Sequence, residues 1–188
     1  MEQIRYMPPI VYRRAPKSNR FVSTETPSAP VGFPWEAIHD AVDVIVFVRG
    51  LPGVGKTTFA HSRFSGRTLF EADLFLTDPS IRGVKERHKA CQQALKSHVS
   101  ALGPAVIICN TFSQAWELQE YLDVLPPQLN GRFLLPLVFH LHSGELSDAI
   151  LAERTRHGVP VKAIFEMRYR WEAWPGEYLI QYGAAVSR

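Results

Sequence analysis

The stretch RGLPGVGKTT, residues 49–58, satisfies G-x-x-x-x-G-K-[ST] with Gly50, Gly55, Lys56 and Thr57. Glycines let a backbone curl around an anion with its N–H groups turned inward, and a helix opening out of the turn adds the positive end of its dipole. The residues Gly50, Leu51, Pro52, Gly53, Val54, Gly55, Lys56, Thr57 and Thr58 therefore read as a cradle for nucleotide phosphates. Lys56 would reach the outer phosphates, and the Thr57 hydroxyl is the candidate Mg²⁺ ligand. A cradle of this kind holds a phosphate without saying where the phosphate goes, so the chemistry has to come from other residues.

Four further groups carry charge or hydrogen bonds that such chemistry could use. Asp73 follows an apolar run and faces the same rim as Lys56; it could take a hydroxyl proton as phosphorus is attacked, with a helix cap or a Mg²⁺ water ligand as the alternatives. Glu71 is the weaker acid because it reads as lying inside the strand, and Asp78 before Pro79 reads as a turn former. Asn110 and Thr111 stand where many P-loop proteins place an acid. They can hydrogen-bond a phosphate, a metal's water or an acceptor but supply no charge, and a helix-capping Asn110 is the alternative. Arg154 and Arg156 in ERTRHG, with Arg168 further on in MRYRW, could offset charge on a transferring phosphoryl group; a solvated charged face is the plainer reading. His140 and His142 have no third metal ligand near them and read as core or rim residues, and Trp116, Trp171 and Trp174 read as packing, with base stacking by Trp171 beside the arginines as the alternative.

Short apolar runs alternate with helix-period segments and must position these groups. Strands are expected at 43–48, 68–72, 105–109 and 133–141, with Pro136 marking an irregular start, and a last edge strand at 178–182. Helices are expected at 56–64, 82–102, 113–125, 145–156 and 160–171. The long one has Val84, His88, Cys91, Leu95 and Val99 on one stripe and ends at Gly103-Pro104; Pro126-Pro127 stops the next. Alternation of this kind predicts an α/β fold: a P-loop NTPase-type parallel sheet of four to five strands, helices on both faces, and a helical, arginine-bearing lid. Ligands in such sheets lie beyond the carboxyl ends of the strands, so the residues just after each strand are the first to be weighed for function.

The chain has 188 residues, 46% of them hydrophobic and 21% charged, which suits one globular domain with a short appendage. Its net charge of +3 is unevenly placed: residues 1–34 hold Arg5, Arg13, Arg14, Lys17 and Arg20 against Glu2 and Glu25, and the rest is balanced. Six of the fourteen prolines lie there too, so residues 1–34 read as a basic, extended arm and 35–188 as the domain. Contact with nucleic-acid phosphates and a solvated leader are the two readings of the arm. No apolar run is long enough to span a membrane, and two cysteines make no disulfide framework, so a cytoplasmic setting is expected.

GLPGVGKTT, a strand ending in Asp73, IICNT, and RTRHGVP followed by MRYRWE together resemble the P-loop kinases of the polynucleotide kinase type, including bacteriophage 5′-hydroxyl kinases, over residues 43–177. The resemblance implies ATP and Mg²⁺ as cofactors, Asp73 as general base, and Arg154 and His157 in a phosphate-binding lid. It departs from the family on the acceptor side. Leu74 stands where a second acid is common, and Cys109-Asn110-Thr111-Phe112 replaces an Asp-containing stretch. The implied activity is transfer of the γ-phosphate to a hydroxyl of a nucleic acid, with DNA favoured: a 5′-hydroxyl end or a hydroxymethylated pyrimidine. A small-molecule or nucleoside kinase, and a nucleotide-binding module without transfer, are the alternatives.

Overall fold

A computed structural model describes residues 43–181; the basic arm, 1–34, and Tyr182 lie outside the described residues. The elements are β1 (Val44–Arg49), α1 (Lys56–Arg63), β2 (Thr68–Phe70), a 3-10 turn (Ala72–Phe75) and α2 (Val84–Leu102). They continue with β3 (Val106–Asn110), α3 (Ala115–Asp123), β4 (Gln128–Leu129), β5 (Arg132–Phe133), β6 (Leu135–His142), α4 (Asp148–Glu153), α5 (Val161–Tyr169) and β7 (Tyr178–Gln181).

Five strands form one sheet in the order β2-β3-β1-β6-β7, and every pairing in it is parallel. β1 takes the centre because both its faces are buried. Val46 and Val48 pack toward α1 with Phe59, Phe64, Phe139 and Leu151; Ile45 and Phe47 pack toward α2 and α3 with Cys91, Leu95, Ile108, Leu118 and Tyr121. Each such side chain removed from water contributes about 1.5–3 kcal/mol, so a strand apolar on both faces is stable only between two helical layers.

The observed elements differ from the expected ones for local reasons. β2 stops at Phe70, two residues early, because the Ala72 N–H donates to the Asn110 side chain (3.0 Å) and not to a strand partner. β6 runs from Leu135 through Pro136. Proline is tolerated there because β7 joins β6 only from Phe139 onward, leaving the earlier edge unpaired. A hairpin, β4–β5, lies between the second proline of the Pro126-Pro127 stop and β6. Its two-residue turn is Asn130-Gly131, with φ of 52° and 78°, as a tight hairpin requires. Among the described residues no helix is long and apolar enough to cross a membrane.

Candidate active site

The loop between β1 and α1 is anchored from below by Leu51 and Val54, both buried in the core. Two of its glycines are fixed by close approach. A Cβ on Gly50 would stand 2.7 Å from the Leu141 carbonyl oxygen; one on Gly53, at φ +78°, would stand 2.1 Å from the Leu151 carbonyl oxygen in α4. Gly53 thus shapes the cradle and also lets the lid helix sit on it. Gly55, with φ 98°, is the N-cap of α1 and turns the chain into the helix. The Gly50 N–H donates to the Thr111 carbonyl (3.3 Å), tying the loop to the segment after β3.

Lys56 and Thr57 open α1. The Lys56 ammonium donates to the carbonyls of Gly50 (3.0 Å) and Leu51 (3.2 Å). Burial lowers its pKa, and the negative fields of Glu71 and Asp73 oppose that shift. The Thr57 hydroxyl donates to Glu71 Oε1 at 2.6 Å. Glu71 is therefore a rim residue and not a strand residue: with β2 ending at Phe70, its carboxylate reaches the one hydroxyl the motif reserves for a metal. The signal was present as an acid-x-acid pair, Glu71 and Asp73, at the strand end.

Asp73 sits in the 3-10 turn, half exposed, and its carboxylate faces the His157 imidazole across the cleft at 3.8 Å. Asn110, at the tip of β3, holds that turn through Ala72, and its amide nitrogen lies beside the Tyr121 hydroxyl without good alignment. Asn110 does not cap the following helix. Gln114 is the N-cap of α3, in a reciprocal box with Glu117. Tyr121 in turn pairs with His88 Nδ1 at 2.9 Å, and burial keeps that half-buried imidazole toward the neutral form. The nearby thiols are inert: burial pushes Cys91 up to about 11 and Cys109 well above its ordinary value.

The lid is two short helices joined by residues 154–160. Ser147 caps α4, and Arg154 ends it, two residues before the expected boundary. The Thr155 hydroxyl donates to the Ala152 carbonyl (2.8 Å) and accepts from the Val159 N–H (3.1 Å), closing the loop that carries Arg154, Arg156 and His157. Arg154 and Arg156 are exposed and form no side-chain hydrogen bond or ion pair among the described residues. Arg168 is placed differently. Its guanidinium donates to Asp148 Oδ1 (2.8 Å), Ser143 Oγ (2.8 Å) and the Leu146 carbonyl (3.1 Å), bracketing α5 to the connection between β6 and α4.

The structure thus gathers Lys56, Thr57, Glu71 and Asp73 at one rim, brings His157 over it, and leaves Arg154 and Arg156 in the same lid loop. Among the described residues no cluster of three or more His, Cys, Asp or Glu forms. His140 goes instead to Glu177 (3.2 Å) and stacks on Trp171 (4.5 Å), while His142 accepts from the Gly144 N–H.

No family model matches the chain. Among solved structures, a gluconokinase from Sinorhizobium meliloti is similar in fold, with a TM-score of 0.52 and 17% identity over 77% of this chain and 85% of that one. A sugar kinase from Janibacter aligns at a TM-score of 0.48, with 23% identity over 74% of this chain and 84% of that one. The first likeness extends to the α/β architecture, a five-stranded parallel sheet with its helices, and at this identity it speaks for the fold alone.

Proposed function

We propose that this chain transfers the γ-phosphoryl group of ATP to an alcohol. The observation that carries the reading is the single rim on which a phosphate-cradling lysine, the Thr57–Glu71 pair and a half-exposed aspartate meet beneath a lid whose two exposed arginines have no side-chain partner among the described residues. Phosphoryl transfer asks little covalent chemistry of a protein; it asks for positioning and for charge placed where charge builds. Lys56 exchanges the carbonyls of Gly50 and Leu51 for phosphate oxygens. The loop N–H groups and the α1 dipole hold the β-phosphate. Asp73 accepts the hydroxyl proton as the acceptor oxygen attacks phosphorus, and Arg154 and Arg156 fold over the equatorial oxygens.

Thr57 and Glu71 offer hard oxygen donors 2.6 Å apart, a set that fits Mg²⁺, which commonly takes one or two protein groups and completes its shell with phosphate and water. Thr57 and Glu71 would hold the ion there, and its charge would offset that of the β- and γ-phosphates.

Two acceptor classes are supported. A small polyhydroxylated compound is favoured by the similarity in fold to a gluconokinase. A nucleic-acid hydroxyl, either a 5′ end or a hydroxymethylated pyrimidine, is favoured by the order GLPGVGKTT, IICNT, RTRHGVP and by the basic arm. Labelled ATP and Mg²⁺ offered with gluconate and other polyols, free nucleosides, 5′-hydroxyl oligonucleotides and hydroxymethyl-bearing DNA separates them. Turnover on the first two classes without benefit from oligonucleotide length supports the small-acceptor reading; tight ATP binding with no product on any acceptor overturns transfer altogether.

A further inference from the structure

The residue directly before the cradle, Arg49, is fully buried although it carries a charge. Its guanidinium engages three partners on two segments, the turn after β3 and residues 170–177. Nη1 donates to Glu177 Oε2 (2.8 Å), and Nη2 donates to the carbonyl of Phe112 and to that of Glu172 (2.7 Å). Its plane lies 4.4 Å from the Trp171 ring, whose other neighbour is His140. Removing an arginine from water is expensive, and a buried ion pair is weak evidence for stability, because apolar residues of similar volume commonly do as well. The geometry has to explain the residue.

That geometry is a knot at the carboxyl edge of the sheet. Phe112 holds φ 46°, a left-handed conformation rare for an aromatic residue, and Arg49 grips its carbonyl. One residue earlier, Thr111 receives the Gly50 N–H, so consecutive residues of the β1 end hold consecutive carbonyls of the turn after β3. The segment 170–177 is stitched to the same turn: Glu172 N–H to the Ser113 carbonyl (2.8 Å), Ala115 N–H to Glu172 Oε2 (2.9 Å), and Arg170 Nε to Ser113 Oγ (2.9 Å). This segment is the covalent continuation of α5, the second helix of the lid.

We propose that Arg49 is a positioning residue: it fixes the return strap of the lid, residues 170–177, and the turn after β3 in one register with the phosphate cradle. This rests on the phosphoryl-transfer reading for its kinetic consequence and stands apart from it structurally. Because Arg49 ends β1 and Gly50 directly follows it, the cradle and the acceptor-side wall move together only while the planar fork spans all three carbonyl and carboxylate partners. A lysine keeps the charge but presents a point cation that cannot span them.

The test compares wild type with Arg49→Lys in the full-length chain. Arg49→Lys is expected to bind a fluorescent ATP analogue within twofold of wild type, to show at least tenfold lower kcat on the accepted alcohol, and to release more ADP per acceptor phosphorylated. Hydrogen exchange supplies a readout free of turnover: amides of 112–115 and 172–177 should exchange at least tenfold faster together, while those of β1 and β3 keep their protection. Unchanged exchange in those two segments overturns the inference, as does a loss of ATP binding parallel to the loss of rate, which marks general unfolding. If Arg49→Lys does not fold, Arg49→Met combined with Glu177→Gln also removes the buried carboxylate that has lost its arginine, and it is read by the same exchange criterion. A wild-type protein that phosphorylates no acceptor defeats the transfer reading, while the exchange comparison still decides the role of Arg49.

Discussion

Replacing Gly53 by alanine tests whether the cradle and the lid are mechanically one object. At φ +78° an L-residue costs about 1–2 kcal/mol relative to glycine. The new Cβ would stand 2.1 Å from the Leu151 carbonyl oxygen, about 0.9 Å inside the closest approach real Cβ atoms show. Relieving such an overlap in packed structure costs about 1–3 kcal/mol. Together these give about 2–5 kcal/mol, or a fall in Tm of roughly 5–15 °C for a domain of this size. The helix that must yield carries the arginine loop, and a displacement near 1 Å of positioning groups can cost about 100-fold in rate. Calorimetry, equilibrium titration of a fluorescent ATP analogue and initial transfer rates separate two responses. If α4 yields, affinity stays and kcat falls; if the loop yields, affinity falls too. A Gly53→Ala protein with Tm, nucleotide affinity and kcat all at wild-type values refutes the claim that the lid rests on the cradle.

Asp73→Asn should retain ATP binding and lose about 10²–10⁴-fold in kcat; transfer near the wild-type rate in a rapid-quench assay removes Asp73 as the base. Glu71→Gln and Thr57→Ala should each raise the Mg²⁺ concentration for half-maximal activity, and a titration that leaves it unchanged in both detaches that pair from the metal. His88 has its pKa lowered in the fold, chiefly by burial, so the unfolded chain binds its proton first as pH falls; stability is full above about pH 6.5 and declines below it, and His88→Gln should flatten Tm against pH below about 6.5. Deleting residues 1–34 should raise the KM for an oligonucleotide acceptor and reduce the steepness of its salt dependence; an identical salt slope removes the arm from nucleic-acid binding.

The alternation of buried strands with amphipathic helices was legible because parallel strands covered on both faces are apolar throughout, as Ile45 to Val48 are. The cradle was legible because its glycines answer a backbone requirement that leaves a fixed spacing. What was not legible depends on contacts between distant segments. Glu71 looked like a strand residue until the Asn110 side chain ended β2 early. Arg168 and Arg154 look alike in sequence, and only the fold shows that Asp148, Ser143 and Leu146 occupy one and that the other has no side-chain partner among the described residues. Arg49 drew no attention because its partners, Phe112, Glu172 and Glu177, lie more than sixty residues away. The Asn130-Gly131 hairpin, by contrast, was signalled locally and overlooked: the dipeptide is the strongest short-range turn signal there is.

The strand order has a consequence for biosynthesis. The central strand pairs with Val106–Asn110 on one side and with Leu135–His142 on the other, roughly ninety residues downstream. A nascent chain emerging from the ribosome therefore presents its central apolar strand well before either flank exists, and the sheet closes around it only once residues 135–142 have emerged. Premature release at residue 130 would free a fragment with β1 covered on one side and bare on the other, a template for aggregation and a natural client for chaperones.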